Sequence, residues 1–183
     1  MKVLVLGHKG MLGHMVHKYL STKNDCELVT TNLRWGVEEF KDFIVDFWYA
    51  QEGDYIINCI GAIHQRTSDF DVNTELPIWL DDNIDYNLSS CRVIHPGTDC
   101  EIDDDDYGNS KIIKTSIIGH ELNTKASLLE WFLNISDEEI NGYADYHWNG
   151  NTTLQWAKIC YDIMNNPREY DLLTIPATEC ISK

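Results

Sequence analysis

The sequence predicts an α/β fold in which a parallel sheet carries helices on both faces, and three observations point to it. Short β-branched runs alternate along the chain with longer stretches whose apolar residues recur at spacings of three and four, the pattern of strands joined by helical crossovers. A glycine-rich turn, Gly7 to Gly13, stands directly between the first such run and the first such stretch. The length, 183 residues, is that of one domain spanning 1–183, and 43% apolar with 24% charged residues is an ordinary globular composition.

The elements follow in order. Lys2 to Leu6 predicts a first strand and Gly10 to Leu20 a helix. Glu27 to Thr31 is a second strand, followed by a helix over Val37 to Tyr49 that places Phe40, Phe43, Ile44, Phe47 and Trp48 on one face. Asp54 to Ile60 is a third strand; the next helix, Asn73 to Leu80, contains Pro77. Arg92 to Ile94 is a fourth strand running into Pro96 and Gly97, and Lys111 to Ile118 a fifth. Ser127 to Asn134 and Thr152 to Met164 read as helices, the second stopping before Asn166 and Pro167.

Charge and cysteine content exclude several classes of partner. Fourteen Lys and Arg against thirty Asp and Glu give a formal charge of −16, a field that repels phosphate backbones, so nucleic acid is not an expected partner. The apolar runs end well short of the roughly 20 residues needed to span a bilayer, and no membrane partner is expected. The amino-terminal residues MKVLVLGHKG lack the features of a signal peptide, so a cytoplasmic protein is expected. Six cysteines (Cys26, Cys59, Cys91, Cys100, Cys160 and Cys180) without CxxC spacing are expected to stay reduced, Cys100 as an ordinary buried thiol. Seven histidines, with His14 and His17 the best-spaced pair, form no ligand pattern, so no metal is expected.

The glycine turn carries the chemistry. In this setting Gly7 allows a sharp bend, Gly10 lets a pyrophosphate reach backbone N–H groups at the positive end of the helix, and Gly13 permits close packing of helix on sheet. Gly7, His8, Lys9, Gly10, Met11, Leu12 and Gly13 are therefore the expected dinucleotide contacts of a Rossmann-like domain. A carboxylate at the end of the second strand would select a free ribose 2′-hydroxyl, whereas a basic residue accepts a 2′-phosphate. Here no acid follows Thr31 until Glu38, and Arg34 with Lys9 favours NADP(H) over NAD(H).

Several motifs together resemble the extended short-chain dehydrogenases. They are the glycine turn, Ile57 to Ile63 (INCIGAI), Val72 and Asn73 before Pro77, Thr98 with Asp99, and Tyr107-Gly-Asn-Ser-Lys111, in that order. More narrowly, Thr115 to Leu122 (TSIIGHEL), Ser127 to Leu133 (SLLEWFL) and Trp148 to Ile159 (WNGNTTLQWAKI) are similar to the dTDP-4-dehydrorhamnose reductase branch, which acts on nucleotide sugars. The resemblance implies that Cys59, Ile60, Gly61 and Ala62 line the cofactor. It implies Tyr107 as proton donor, Thr98 as the accompanying hydroxyl and Lys111 as the residue that activates the tyrosine and holds the nicotinamide ribose. A lysine four residues after a tyrosine shares its helical face and lowers the phenol pKa.

Two spans depart from the family pattern. Only DCEIDDDD separates Thr98 from Tyr107, and only Ile112, Ile113 and Lys114 separate Lys111 from Thr115. Tyr107 then begins a stunted helix, or Lys111 already stands on the fifth strand. TIPATECISK, from residue 174 on, resembles the family's next strand and the start of its next helix.

What these likenesses imply is an NADPH-dependent reductase of a keto group on a nucleotide-linked deoxysugar, with residues 120–160 forming a small, reduced substrate-binding lobe. The alternative is a catalytically silent dinucleotide- or sugar-nucleotide-binding protein. Trp131, Phe132, Trp148 and Trp156 read either as stacking platforms for a base or sugar or as core aromatics of the lobe. Poorly covered apolar side chains such as Phe132 and Trp156 predict a homodimer or higher homo-oligomer.

Overall fold

A computed structural model describes residues 1–49, 54–63, 67–84, 92–97, 110–114, 116–136, 139–140, 142, 145, 147–148, 150–167, 174–175 and 181–182. The first half of the chain runs β1 (Lys2–Leu6), α1 (Met11–Leu20), β2 (Glu27–Thr30), α2 (Glu38–Tyr49), β3 (Tyr55–Asn58), α3 (Val72–Asn83) and β4 (Arg92–Gly97). The second half adds β5 (Lys111–Lys114), β6 (Ile117–Ile118), α4 (Leu128–Asn134), β7 (His147–Trp148), β8 (Asn151–Thr152), α5 (Thr153–Asn165), β9 (Thr174–Ile175) and β10 (Ile181–Ser182).

Six strands form one parallel sheet in the order β2-β1-β3-β4-β5-β9. β1 lies inside it because its apolar residues can be buried on both faces, and the two-residue period divides them. Val3 and Val5 pack with Leu12, Val16 and Leu20 of α1 and with Trp156, Ala157 and Cys160 of α5. Leu4 and Leu6 pack on the other face with Phe40, Ile44 and Trp48 of α2 and with Leu76 and Leu80 of α3. The predicted Rossmann-like arrangement, with helices on both faces, is what the chain adopts.

The ends of the helices have local causes. Glu38 and Glu39 stand in the first turn of α2, where negative charge is favoured by the helix dipole. Thr152 caps α5, its Oγ1 accepting the Gln155 N–H at 3.1 Å. Pro77 sits within α3 and is buried, tolerated at the cost of one amide hydrogen bond.

Three expectations are corrected. The strand predicted over 111–118 is two: β5 stays in the main sheet, whereas β6 leaves it to pair with β8. Close approach drives the break, since a Cβ on Gly150 would stand 2.0 Å from the Ser116 carbonyl oxygen and one on Gly119 would stand 2.3 Å from Thr153 Oγ1. Trp156 is not poorly covered but wholly buried, because it belongs to the apolar stripe that α5 turns toward α1 and the sheet. Thr174–Ile175 does supply a further strand beside β5, but Ile181–Ser182, where a helix was expected to begin, pairs antiparallel with His147–Trp148.

Among the described residues, no helix is long and apolar enough to cross a membrane, and no three His, Cys, Asp or Glu side chains assemble as metal ligands. Cys26, Cys59 and Cys160 are free thiols, while Cys91, Cys100 and Cys180 lie outside the described residues.

Candidate functional site

Because β1 is flanked by β2 on one side and β3 on the other, the connections leaving these strands diverge and open a crevice beyond their carboxyl ends. A cleft of about 360 Å³ occupies that place. Its walls are the start of α1 (Gly10 to Leu12), the turn after β3 (Asn58 to Ile63) and the end of β4 (His95 to Gly97), with Asn73 and Pro77 of α3. Ile117, Glu121 and Ser127 close it from the far side.

The glycine turn has no room for side chains. Gly7 adopts φ +70°, and a Cβ there would stand 2.8 Å from the Cys59 carbonyl oxygen. A Cβ on Gly13 would stand 2.2 Å from the Gly7 carbonyl oxygen, a true collision, whereas one on Gly10 would meet the same atom at 3.3 Å. Gly10 is the N-cap of α1 and offers no side-chain acceptor, so the first amides of the helix keep their positive potential for a ligand. A pyrophosphate fits such a cradle.

Behind the turn, Asn73 holds the β3–α3 connection, its Oδ1 accepting the Ala62 N–H at 2.7 Å and its Nδ2 donating to the Ala62 carbonyl at 2.9 Å. Asn58 Oδ1 accepts the Ile60 N–H at 3.0 Å, and its Nδ2 lies 3.3 Å from His95 Nδ1. Asn58 and His95 are both buried, and burial pulls the His95 pKa down to about 4, so the ring is neutral at physiological pH. Burial pushes the Cys59 thiol far above its usual range, which leaves it an unreactive wall of the cleft. Ser127 Oγ is buried, with no hydrogen-bond partner among the described residues.

The structure brings together Gly10, Met11, Leu12, Cys59, Ile60, Gly61 and Ala62 in one cleft, with Gly7 and Gly13 packed behind them. His8, within the glycine turn, faces the backbone of Thr31 just beyond β2; burial and then the neighbouring Lys9 lower its pKa. Lys9 and Arg34 are exposed, on the two turns flanking the β2 side, and neither lines the cleft.

Thr98 and Tyr107 lie outside the described residues. Lys111 is the first residue of β5, in register with Ile94, so of the two arrangements open from the sequence it takes the strand. It lies three residues, about 10 Å at 3.3 Å each, before the level of Gly97 at the cleft. Asn58, His95, Glu121 and Ser127 join the cleft without having been sequence candidates. Asn58 and His95 meet only through the parallel register of β3 and β4, which no local spacing records.

No family model matches the sequence, and no curated protein matches it; solved structures do match its fold. A dTDP-4-dehydrorhamnose reductase from Clostridium acetobutylicum superposes with a TM-score of 0.68 at 17% identity, over 100% of this chain and 76% of that one. The Bacillus anthracis dTDP-4-dehydrorhamnose reductase, solved in complex with NADP, gives 0.66 at 14% identity over 99% and 76%. A GDP-6-OMe-4-keto-L-xylo-heptose reductase from C. jejuni gives 0.62 at 11% identity over 99% and 80%. The chain therefore has the Rossmann-like α/β fold of these reductases, and spans about three quarters of the length of the first of them.

Proposed function

We propose that this chain binds NADP(H) in the cleft and, as a cytoplasmic reductase, reduces a keto group on a nucleotide-linked deoxysugar. The observation that carries the reading is the glycine turn: an uncapped helix start opening on a cleft at the strand-order reversal, built so closely that Gly13 cannot carry a Cβ. The substrate class is supported by the likeness in fold to sugar-nucleotide reductases and by the order of the sequence motifs.

Gly7, Gly10 and Gly13, with the Met11 and Leu12 amides, would hold the pyrophosphate, and Cys59 to Ala62 would border the rest of the cofactor. Arg34 and Lys9 would meet the 2′-phosphate. A nicotinamide cofactor supplies a hydride when bound there. The chain's own part is to orient the sugar carbonyl, with the part of 120–160 that precedes α5 as the small substrate lobe, and to deliver a proton. Tyr107 would donate that proton, Thr98 would hydrogen-bond the same oxygen, and the Lys111 charge would favour the phenolate and hold the ribose. A second reading, the silent binder, is favoured by one observation: Lys111 stands on the strand β5 and not on a helix.

Calorimetry should show NADPH binding about tenfold more tightly than NADH, and Arg34→Ala should narrow that gap, as loss of one charge-assisted contact does. Equal affinities in the unmutated protein would refute the basic reading of the turn after β2. Oxidation of NADPH in the presence of nucleotide-linked 4-keto-6-deoxysugars, followed by absorbance, separates the reductase from the silent binder.

A homodimer or higher oligomer belongs to the same proposal. Its support is α4, where Leu128, Trp131, Phe132 and Leu133 are all more than half exposed. Sedimentation at micromolar concentration should show an oligomer that Phe132→Ser weakens; a stable monomer would count against it.

A further inference from the structure

We infer that Trp35 and Glu75 form a latch that fixes the turn carrying Arg34, and so act as positioning residues for cofactor preference, a role that rests on the dinucleotide reading proposed above. Trp35 follows Arg34 directly and precedes Gly36, whose φ of +94° reverses the chain before α2. Its indole leaves that turn and seats on α3. The Nε1–H donates to Glu75 Oε2 at 3.3 Å, and the ring lies 5.7 Å from that of Trp79. Phe40 meets it edge-on at 5.9 Å, and the Lys41 ammonium stands 5.6 Å from its centroid.

Glu75 and Trp79 are four residues apart and share one face of α3, which presents an acceptor and a ring to the same indole. The same helix carries Asn73, which holds the β3–α3 turn through two hydrogen bonds to Ala62. One helix therefore grips two connections: the turn carrying Arg34, which lies outside the cleft and is expected to meet the ribose phosphate, and the β3–α3 turn that forms the cleft wall. Within the 31–37 turn, the local hydrogen bonds are Leu33 N–H to Thr31 Oγ1 at 3.1 Å and Val37 N–H to the Arg34 carbonyl at 3.4 Å. Both are internal to the turn, whereas the indole ties it to a second element, α3. A cation held in place before its anion arrives loses less freedom on binding, and that gain applies only to a ligand bearing the 2′-phosphate.

The experiment measures NADPH and NADH affinities by calorimetry, with thermal midpoints, in the full chain. Trp35→Phe keeps the ring and loses the N–H; Glu75→Ala loses the acceptor; Glu75→Gln keeps it. Trp35→Phe and Glu75→Ala should each shrink the NADPH:NADH affinity ratio about fivefold, and the double variant should do no worse than either alone. Glu75→Gln should stay near the wild-type ratio, and Trp35→Phe made in the Arg34→Ala background should change it no further. A merely structural role would weaken both cofactors equally and leave the ratio alone. An unchanged ratio in Trp35→Phe and Glu75→Ala, with NADPH preferred by the wild type, overturns the latch and spares the reading of Arg34. If Trp35→Phe does not fold, Glu75→Ala against Glu75→Gln decides. A wild type that binds both cofactors equally overturns the Arg34 reading and the latch with it, and one that binds neither overturns the dinucleotide reading as well.

Discussion

Alanine in place of Gly13 should abolish dinucleotide binding and lower the thermal midpoint of the protein. The added Cβ would lie 2.2 Å from the Gly7 carbonyl oxygen, 2.7 Å from its carbon and 3.0 Å from the His8 Cα, all backbone atoms with no rotamer to yield. Relief requires α1 to slide away from the turn, which opens the packing of Leu12 and Val16 on β1 and moves the Met11 and Leu12 amides off their aim. Overpacking of this kind costs about 3 kcal/mol, or roughly 6–12 °C in a domain of this size. Affinity for NADPH should fall at least about a hundredfold, since the cradle itself is displaced. Gly10→Ala is the comparison for the fold: its Cβ would meet a single protein atom at 3.3 Å, so it should keep the thermal midpoint near wild type, and any loss of affinity there comes from the methyl group facing the ligand in the cleft. Calorimetry and thermal unfolding of the two variants give the comparison, and a Gly13→Ala protein that binds as well as wild type would remove the main support for the cofactor site.

Tyr107→Phe should reduce turnover by about 10²–10⁴-fold while NADPH affinity stays within about twofold of wild type. Only the proton donor is lost in that variant. Lys111→Met should damage both turnover and affinity, because its charge is asked to hold the ribose as well as to favour the phenolate. The placement of Lys111 on β5 sharpens the comparison, since its ammonium must reach the site along a strand and not down a helix. Should Tyr107→Phe retain full activity, or should the wild type bind NADPH yet oxidise none of it with any nucleotide-linked 4-keto-6-deoxysugar, the chain is a binding protein and not a reductase.

What was legible in the sequence was what short-range periodicity controls. Of the stripe Phe40, Phe43, Ile44, Phe47 and Trp48, all are buried on the face their spacing assigns but Phe43, which is half-buried at its edge, and the glycine turn lies between β1 and α1. The break between β5 and β6 was not legible, because it depends on Gly150 meeting Ser116 across more than thirty residues. Trp156 shows a related effect: its aromatic type fits a lobe platform, whereas Ala157, Cys160, Ile163 and Met164 around it trace the helix stripe that carries it into the core. At the candidate site, the glycine turn is a contiguous motif whose place between β1 and α1 is fixed by local spacing. The Asn58–His95 contact joins residues 37 apart through strand register, and the Asn73 clamp on Ala62 is made by a helix whose seating no local pattern fixes.

The contact between Asn58 and His95 also determines where a proton sits. A backbone N–H can only donate, so the Ile60 amide demands the carbonyl oxygen of the Asn58 side chain and turns its NH₂ group toward the imidazole. His95 Nδ1 must then accept, which puts the ring's single hydrogen on Nε2 and fixes the neutral tautomer. With its pKa held near 4, the ring presents the same donor face throughout the neutral range. The floor of the cleft thus has a constant polarity, and any pH dependence of binding or turnover between pH 5 and 8 has to originate in groups other than this histidine.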